Sequence, residues 1–307
     1  MGRARKSGRV RVALVKAESE WGDVKGNVAL LEHLARPLVD RGIDVLVTPE
    51  CFLDGYMVRD KERVTARKLR ARCVTGPADP VVRRVGRLAR RLRSYLVLGA
   101  SEKDARGVVR NAAYLIGRDG NVVGTYYKIH TCDLYEPGNA LPVFETDFGT
   151  VGIVICADRR WPENIRCMAL AGARLVLNPT WGFKGELNTA IVRVRAYENA
   201  IPVCFAHPTQ SLVCDGKGDV VALLESSEPG VLVHDLDLAW RPPTPAVPDR
   251  AWSHPATFRR PDLYGPICDE VGNPKHEAGN KSQAGRKKRK KQQPGSAAGL
   301  RYCCIQP

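Results

Sequence analysis

Six short apolar runs limit what this chain can fold into. They are Arg11-Val-Ala-Leu-Val-Lys16, Ile43-Asp-Val-Leu-Val-Thr-Pro-Glu50, Tyr95-Leu-Val-Leu-Gly-Ala-Ser101, Val151-Gly-Ile-Val-Ile-Cys156, Arg174-Leu-Val-Leu-Asn178 and Ile201-Pro-Val-Cys-Phe-Ala206. Each is rich in Val, Ile and Leu and nearly continuous, the pattern of a strand covered on both faces. Helical periods separate them. Val28, Leu31, Leu34, Leu38 and Val39 mark a helix over Asp23 to Arg41, which Gly42 ends. Further helices are expected over Lys61 to Arg72, Pro80 to Arg93, past Cys156 to Gly172, and over Thr189 to Asn199. Hairpins are expected at Arg118-Asp-Gly-Asn121 and Asp215-Gly-Lys-Gly218, and a last strand over Val231 to Asp237. The expected class is α/β with mixed sheets. Two sheets packed face to face, with helices outside, would cover both faces of every run.

The 307 residues fit one large domain or two small ones, and 44% hydrophobic with 26% charged residues is a globular composition. There is no run of about 18 apolar residues, so no membrane span is expected. The basic start, Met1 to Arg9, leads into a strand pattern rather than a signal-peptide apolar region. None of the ten cysteines form a Cys-x-x-Cys pair, which argues against a zinc ribbon. Reduced thiols and a cytoplasmic location are the expectation.

The net charge of +15 is uneven, because residues 270–307 carry nine Lys/Arg against two Asp/Glu. The resulting division is a basic extension over 1–9, a domain over 10–268, and a basic tail over 269–307 expected to be disordered. Within the tail, Arg286-Lys-Lys-Arg-Lys-Lys291 could contact nucleic acid or another polyanion, although a solvated tail is the commoner outcome.

Three polar residues end or follow apolar runs: Glu50, Lys128 and Cys156. Together they supply what amide hydrolysis by a thiol needs. A carboxylate can take the thiol proton and pass it to leaving ammonia. A cation can face the oxyanion of the tetrahedral intermediate. The thiol can form a thioester. Cys156 stands where a strand gives way to Pro162 and Glu163, residues suited to a helix start, whose N–H groups would lower a thiol pKa. The competing reading is a buried structural cysteine. No Gly-x-Ser-x-Gly, His-Glu-x-x-His or Walker-type phosphate loop is present.

From about Val10 to Cys268 the sequence resembles the nitrilase, or carbon–nitrogen hydrolase, superfamily. The matching stretches are Thr48-Pro-Glu50-Cys-Phe-Leu-Asp-Gly-Tyr56, Tyr127-Lys128-Ile-His130, Gly152-Ile-Val-Ile-Cys156-Ala-Asp-Arg-Arg-Trp-Pro-Glu163, Leu177-Asn-Pro-Thr180, Arg195-Ala-Tyr-Glu-Asn199 and Arg259-Arg-Pro-Asp-Leu-Tyr264. The resemblance implies an αββα sandwich, a homodimer or higher homo-oligomer, and a Glu50–Lys128–Cys156 triad. It also implies no metal and no organic cofactor. Cys156 to Glu163 is most similar to the N-carbamoyl-amino-acid amidohydrolases, where two arginines grip the substrate carboxylate. Arg159 and Arg160 become candidate carboxylate binders, matching the bidentate geometry of a guanidinium. The alternative is that one of them pairs with Asp158 or Glu163. His130 would line the site or buttress it.

One departure concerns the loop between Lys128 and Cys156, which is short for the family. Many members carry a second glutamate six residues before a Pro-Gly pair, but here Thr131 stands six before Pro137. The accessory carboxylate is then missing, replaced by Asp133, or supplied by Glu136. The expected activity is cofactor-free hydrolysis of a small amide or N-carbamoyl compound through a thioester, releasing ammonia. The alternatives are an aliphatic amidase, an ω-amidase or a nitrilase and, from another class, an inactive sandwich tethered to a polyanion by its tail.

Overall fold

The computed structural model describes residues 8–56, 65–132, 134–242, 255–256 and 259–268. One unit takes in Met1–Pro243; a second, Thr244–Cys303, contributes a 3-10 turn at Pro261–Leu263 and the helical turn α6, Gly265–Cys268. In that turn the backbone N–H of Arg260 donates to the Tyr264 hydroxyl at 2.9 Å.

The larger unit holds two six-stranded sheets. Its strands are β1 (Arg9–Lys16), β2 (Val45–Val47), β3 (Tyr95–Lys103), β4 (Val109–Ile116), β5 (Val122–Tyr127), β6 (Val143–Thr146), β7 (Gly149–Ile153), β8 (Leu175–Pro179), β9 (Val203–Ala206), β10 (Gln210–Cys214), β11 (Val220–Glu225) and β12 (Gly230–Asp237). The orders are β12-β1-β2-β3-β4-β5 and β11-β10-β9-β8-β7-β6. In the first sheet β1, β2 and β3 run parallel, and β4 and β5 add an antiparallel hairpin. The second repeats this plan: β7, β8 and β9 are parallel, and β10 and β11 form the hairpin.

The helices of this unit are α1 (Val24–Ala35), α2 (Ala66–Arg70), α3 (Pro80–Leu92), α4 (Pro162–Leu170) and α5 (Glu186–Asn199). Strand alternation fixes the layers. Val12, Leu14, Val45, Val47 and Val97 point into a core shared with Val151, Ile153, Leu175, Leu177, Val203 and Phe205 of the other sheet. The intervening Ala13, Val15, Leu46, Leu96 and Leu98 point outward onto Val28 and Leu31 of α1 and Val82, Val85 and Leu88 of α3. Ile165 and Met168 of α4 and Val192 and Ala196 of α5 pack with the second sheet. The expected αββα sandwich is therefore the observed fold.

Several boundaries move. β2 is only three residues long, and the chain turns through Thr48 to Asp54 rather than continuing extended to Glu50. The first helix ends at Ala35, with a 3-10 turn at Arg36–Leu38. The start of the expected Lys61–Arg72 helix lies outside the described residues, and α2 covers only Ala66–Arg70. β6 was not expected; it carries only two apolar residues, Val143 and Phe144, too few to show a period. The basic extension through Ser7 and the tail from Asp269 lie outside the described residues. Among the described residues no helix is long and apolar enough to cross a membrane.

Candidate functional site

The site forms where strands of both sheets end. β2 leads through Thr48 and Pro49 to Glu50, β5 ends one residue before Lys128, and β7 leads through Val154 and Ile155 to Cys156. Three separate chain segments thus reach one buried place. Lys128 Nζ donates to Glu50 Oε1 at 2.6 Å, and Asn111 Nδ2 of β4 donates to the same oxygen at 2.8 Å. Glu50 is fully buried and Lys128 nearly so. Glu50 Oε2 is buried without a hydrogen-bond partner among the described residues. Such an atom is costly to leave unmatched and is available to receive a proton.

The Glu50 turn is held against both sheets. Its backbone N–H donates to the Thr180 carbonyl just past β8 at 3.3 Å. A Cβ on Gly99 of β3 would come within 2.4 Å of the Pro49 carbonyl oxygen, so this strand must carry glycine for the turn to lie upon it.

Cys156 opens a 3-10 turn, Cys156–Arg160, and has φ +47°, a left-handed backbone uncommon for a non-glycine residue. Its thiol is buried. Burial pushes the thiol pKa up, the Glu50 charge pushes the same way, and Lys128, Arg159 and a Gly182 backbone bond pull it down. The net direction is upward, the opposite of what the position before a helix start led us to expect. Burial outweighs the backbone N–H groups. For Lys128, burial works against the ammonium, but Glu50, Cys156 and Asp158 outweigh it, and the lysine is held protonated. Glu50 can therefore act on a protonated thiol beside a fixed cation.

Asp158, fully buried two residues past the cysteine, collects donors from two strand ends. Its Oδ1 accepts from the His130 N–H at 2.8 Å and lies 2.9 Å from His130 Nδ1. Its Oδ2 accepts from the Tyr126 hydroxyl at 2.8 Å, the Ile155 N–H at 3.3 Å and the Ile129 N–H at 3.4 Å. Asp158 thus pairs with His130 rather than with either following arginine. His130 buttresses: its ring stacks on Trp161 with centroids 3.5 Å apart and planes 3° from parallel.

The two arginines separate. Arg159 is fully buried and faces the protein. Its Nε donates to Asn188 Oδ1 at 2.7 Å, its Nη2 to the Phe183 carbonyl at 2.8 Å, and its Nη1 to the Cys156 carbonyl. Each of its three nitrogens thus meets a neutral protein oxygen. Arg160 is exposed and lies over the Phe183 ring at 4.9 Å. Its carbonyl accepts from Arg195 Nη2 at 2.8 Å.

In the short loop, Asp133 lies outside the described residues. Glu136 is exposed, so the structure does not bring its side chain into the buried group; its backbone N–H donates to Val109. The loop residue turned inward is Tyr135, whose hydroxyl lies 2.9 Å from Ser101 Oγ. Ser101 in turn donates to Asp54 Oδ2 at 2.6 Å. His207, past β9, accepts at Nδ1 from the Thr209 N–H at 3.1 Å, so its Nε2 carries the proton donated to the Gly182 carbonyl at 2.8 Å.

Asn111, Asp158 and His207 were missed as site residues. The available signal was a lone polar residue beside an apolar run. Among the described residues no group of His, Cys, Asp or Glu side chains has a metal-site arrangement, and Cys51, Cys73, Cys132, Cys156, Cys167, Cys204 and Cys214 are free thiols.

The fold and this group define a hydrolase of the nitrilase type. The carbon-nitrogen hydrolase family model matches residues 11–243, and the chain belongs to that family. It is 30% identical over 276 residues to the protein named as the hydrolase in the pqqF 5'region of Pseudomonas protegens, covering 83% of this chain and 90% of that one. It is 26% identical to the N-carbamoylputrescine amidase of Arabidopsis thaliana, covering 82% and 93%. Among solved structures, the amidase of Nesterenkonia matches with TM-score 0.69 at 24% identity, over 87% of this chain and 99% of that one, which shows the shared fold. The chain is thus a carbon–nitrogen hydrolase acting on bonds other than peptide bonds.

Proposed function

We propose that the protein hydrolyses a small amide or N-carbamoyl compound through a thioester on Cys156. The observation that supports this most is the Glu50 carboxylate. One oxygen is held by Lys128 and Asn111, the other is buried with no hydrogen-bond partner among the described residues, and the carboxylate's charge acts on the protonated Cys156 thiol. Glu50 takes the Cys156 proton as sulfur attacks the substrate carbon. Lys128, with a backbone N–H after Cys156, faces the oxyanion. The C–N bond then breaks, and Glu50 returns the proton to the leaving nitrogen, which departs as ammonia. Water activated by Glu50 hydrolyses the thioester and frees the thiol.

An acidic substrate fits Arg160 better than Arg159, because Arg160 is the exposed guanidinium. Exposed Leu170 on α4 and Leu187, Val194 and Tyr197 on α5 support a homodimer or larger homo-oligomer. The tail is proposed as a polyanion tether, checked by salt-dependent binding that disappears without residues 273–307.

The test is ammonia release from N-carbamoyl amino acids, ureidopropionate, N-carbamoylputrescine, ω-amides and nitriles. Cys156→Ala should abolish it for every substrate. Residual turnover above about a few per cent of wild type would overturn the nucleophile assignment, since losing the nucleophile of a triad removes orders of magnitude in rate. Preference for N-carbamoylputrescine, a cation, would overturn carboxylate binding.

A further inference from the structure

Lys128 and Cys156 are brought together from different sheets, and no backbone ladder joins β5 to β7. Their relative position must be fixed by something other than strand pairing. Asp158 is the group that spans the gap. From the β5 side it takes the Tyr126 hydroxyl and the N–H groups of Ile129 and His130, which flank Lys128 on both sides. From the β7 side it takes the N–H of Ile155, immediately before Cys156. Its own backbone N–H donates to the Ile155 carbonyl at 3.1 Å, and its carbonyl accepts from Asn164 Nδ2 of α4 at 2.9 Å, so the carboxylate is anchored at its base.

We propose that Asp158 is a positioning residue that sets the separation of Lys128 and Cys156 by binding both strand exits to one buried carboxylate. The proposal rests on the catalytic roles given above to those two residues. Asp158 reaches substrate only through them. Its hold on His130 also fixes the ring on which Trp161 is stacked.

The fit is specific to a carboxylate. Every group around it is a donor or, for the His130 ring, able to be one. An asparagine would place N–H hydrogens where one oxygen now accepts, so donors would face donors. A displacement of about 1 Å in such a group costs about a hundredfold in rate.

The experiment compares Asp158→Asn, Tyr126→Phe and Cys156→Ala with the wild-type enzyme, using the best substrate of the panel. Asp158→Asn should lower kcat about a hundredfold while KM changes less than about threefold, because ground-state binding groups are untouched. Tyr126→Phe, which removes one donor and no charge, should lower kcat by about three- to tenfold with the fold retained by circular dichroism. The second readout is the pH dependence of Cys156 alkylation by iodoacetamide. Glu50, Lys128 and Arg159 set the thiol pKa together with burial and the Gly182 backbone. Moving Lys128 away raises the alkylation midpoint, whereas merely deleting a nearby negative charge lowers it. An upward shift in Asp158→Asn, or in Tyr126→Phe should Asp158→Asn fail to fold, supports positioning. A downward shift, or wild-type kcat and midpoint in the folded variant, overturns it. If Cys156→Ala stays active, the catalytic reading itself fails. If Cys156→Ala is dead while the folded Asp158 or Tyr126 variant is unimpaired, only the positioning role fails.

Discussion

Asn111 donates to Glu50 Oε1 at 2.8 Å, on the same oxygen that takes the 2.6 Å bond from Lys128. Both donors meet one oxygen and the other has no hydrogen-bond partner among the described residues, so Asn111 helps to decide which oxygen meets the substrate. Asn111→Ala removes a buried bond to a charged group, a loss of about 1.5–3 kcal/mol. The expected outcome is a lower urea midpoint at unchanged m, with kcat reduced about tenfold as the carboxylate rotates out of the 10–20° range a catalytic group tolerates. Wild-type kcat in a destabilised Asn111→Ala would confine Asn111 to folding.

The strands were legible because their apolar runs are local, and Glu50, Lys128 and Cys156 were legible because each directly follows or nearly ends such a run. The supporting residues were not. Asn111 sits in β4 among Ala112, Ala113 and Tyr114, and nothing local tells that its amide meets a residue 61 positions away. Asp158 looked like a partner for the arginines beside it, yet its donors come from residues 126–130 and 155. Cys156 carries a left-handed φ that its residue type does not announce, unlike glycine. The direction of its pKa depends on burial by both sheets, which no single stretch records.

Gly138 closes the short loop. Its N–H donates to the Lys128 carbonyl at 2.8 Å, and an added Cβ would stand 2.3 Å from the Tyr127 carbonyl oxygen. Gly138→Ala must push the loop off the lysine. Overpacking of this kind costs about 1–3 kcal/mol, and kcat should fall with it as Lys128 shifts. Thermal unfolding and initial rates check both, and a wild-type Tm with wild-type kcat would show that the loop yields freely.

Arg160 offers a test of substrate charge. Its guanidinium is exposed over Phe183, whereas that of Arg159 is engaged with Asn188, Phe183 and Cys156. Arg160→Gln should reduce kcat/KM about 10- to 100-fold for an N-carbamoyl amino acid, the loss expected for a charge-assisted pair, and leave a neutral amide nearly unchanged. Equal losses on both substrates would place Arg160 in the scaffold, through its carbonyl bond to Arg195.

Asp54 and His207 make opposing predictions over one pH range. Burial raises the Asp54 carboxyl to about 6, against an ordinary 3.8, although Ser101 donates to both of its oxygens. The folded protein then holds a proton on Asp54 that the unfolded chain has released, so this group's contribution is complete below about pH 3.8 and is lost as pH rises through 6. Burial lowers His207 to about 4, against 6.5. Here the unfolded chain binds the extra proton, so its contribution is present above pH 6.5 and is lost as pH falls through 4. Each amounts to about 3 kcal/mol at full extent, since one unit is 1.36 kcal/mol. Between pH 4 and 6 the two nearly cancel, and they contribute almost no slope to wild-type stability. Asp54→Asn should expose the His207 limb, with stability rising as pH rises through this window. His207→Gln should expose the Asp54 limb, with stability falling. Urea unfolding of the three proteins at pH 4.5, 5.25 and 6 would reveal the slopes, and two variants with the same sign of slope would refute the opposition.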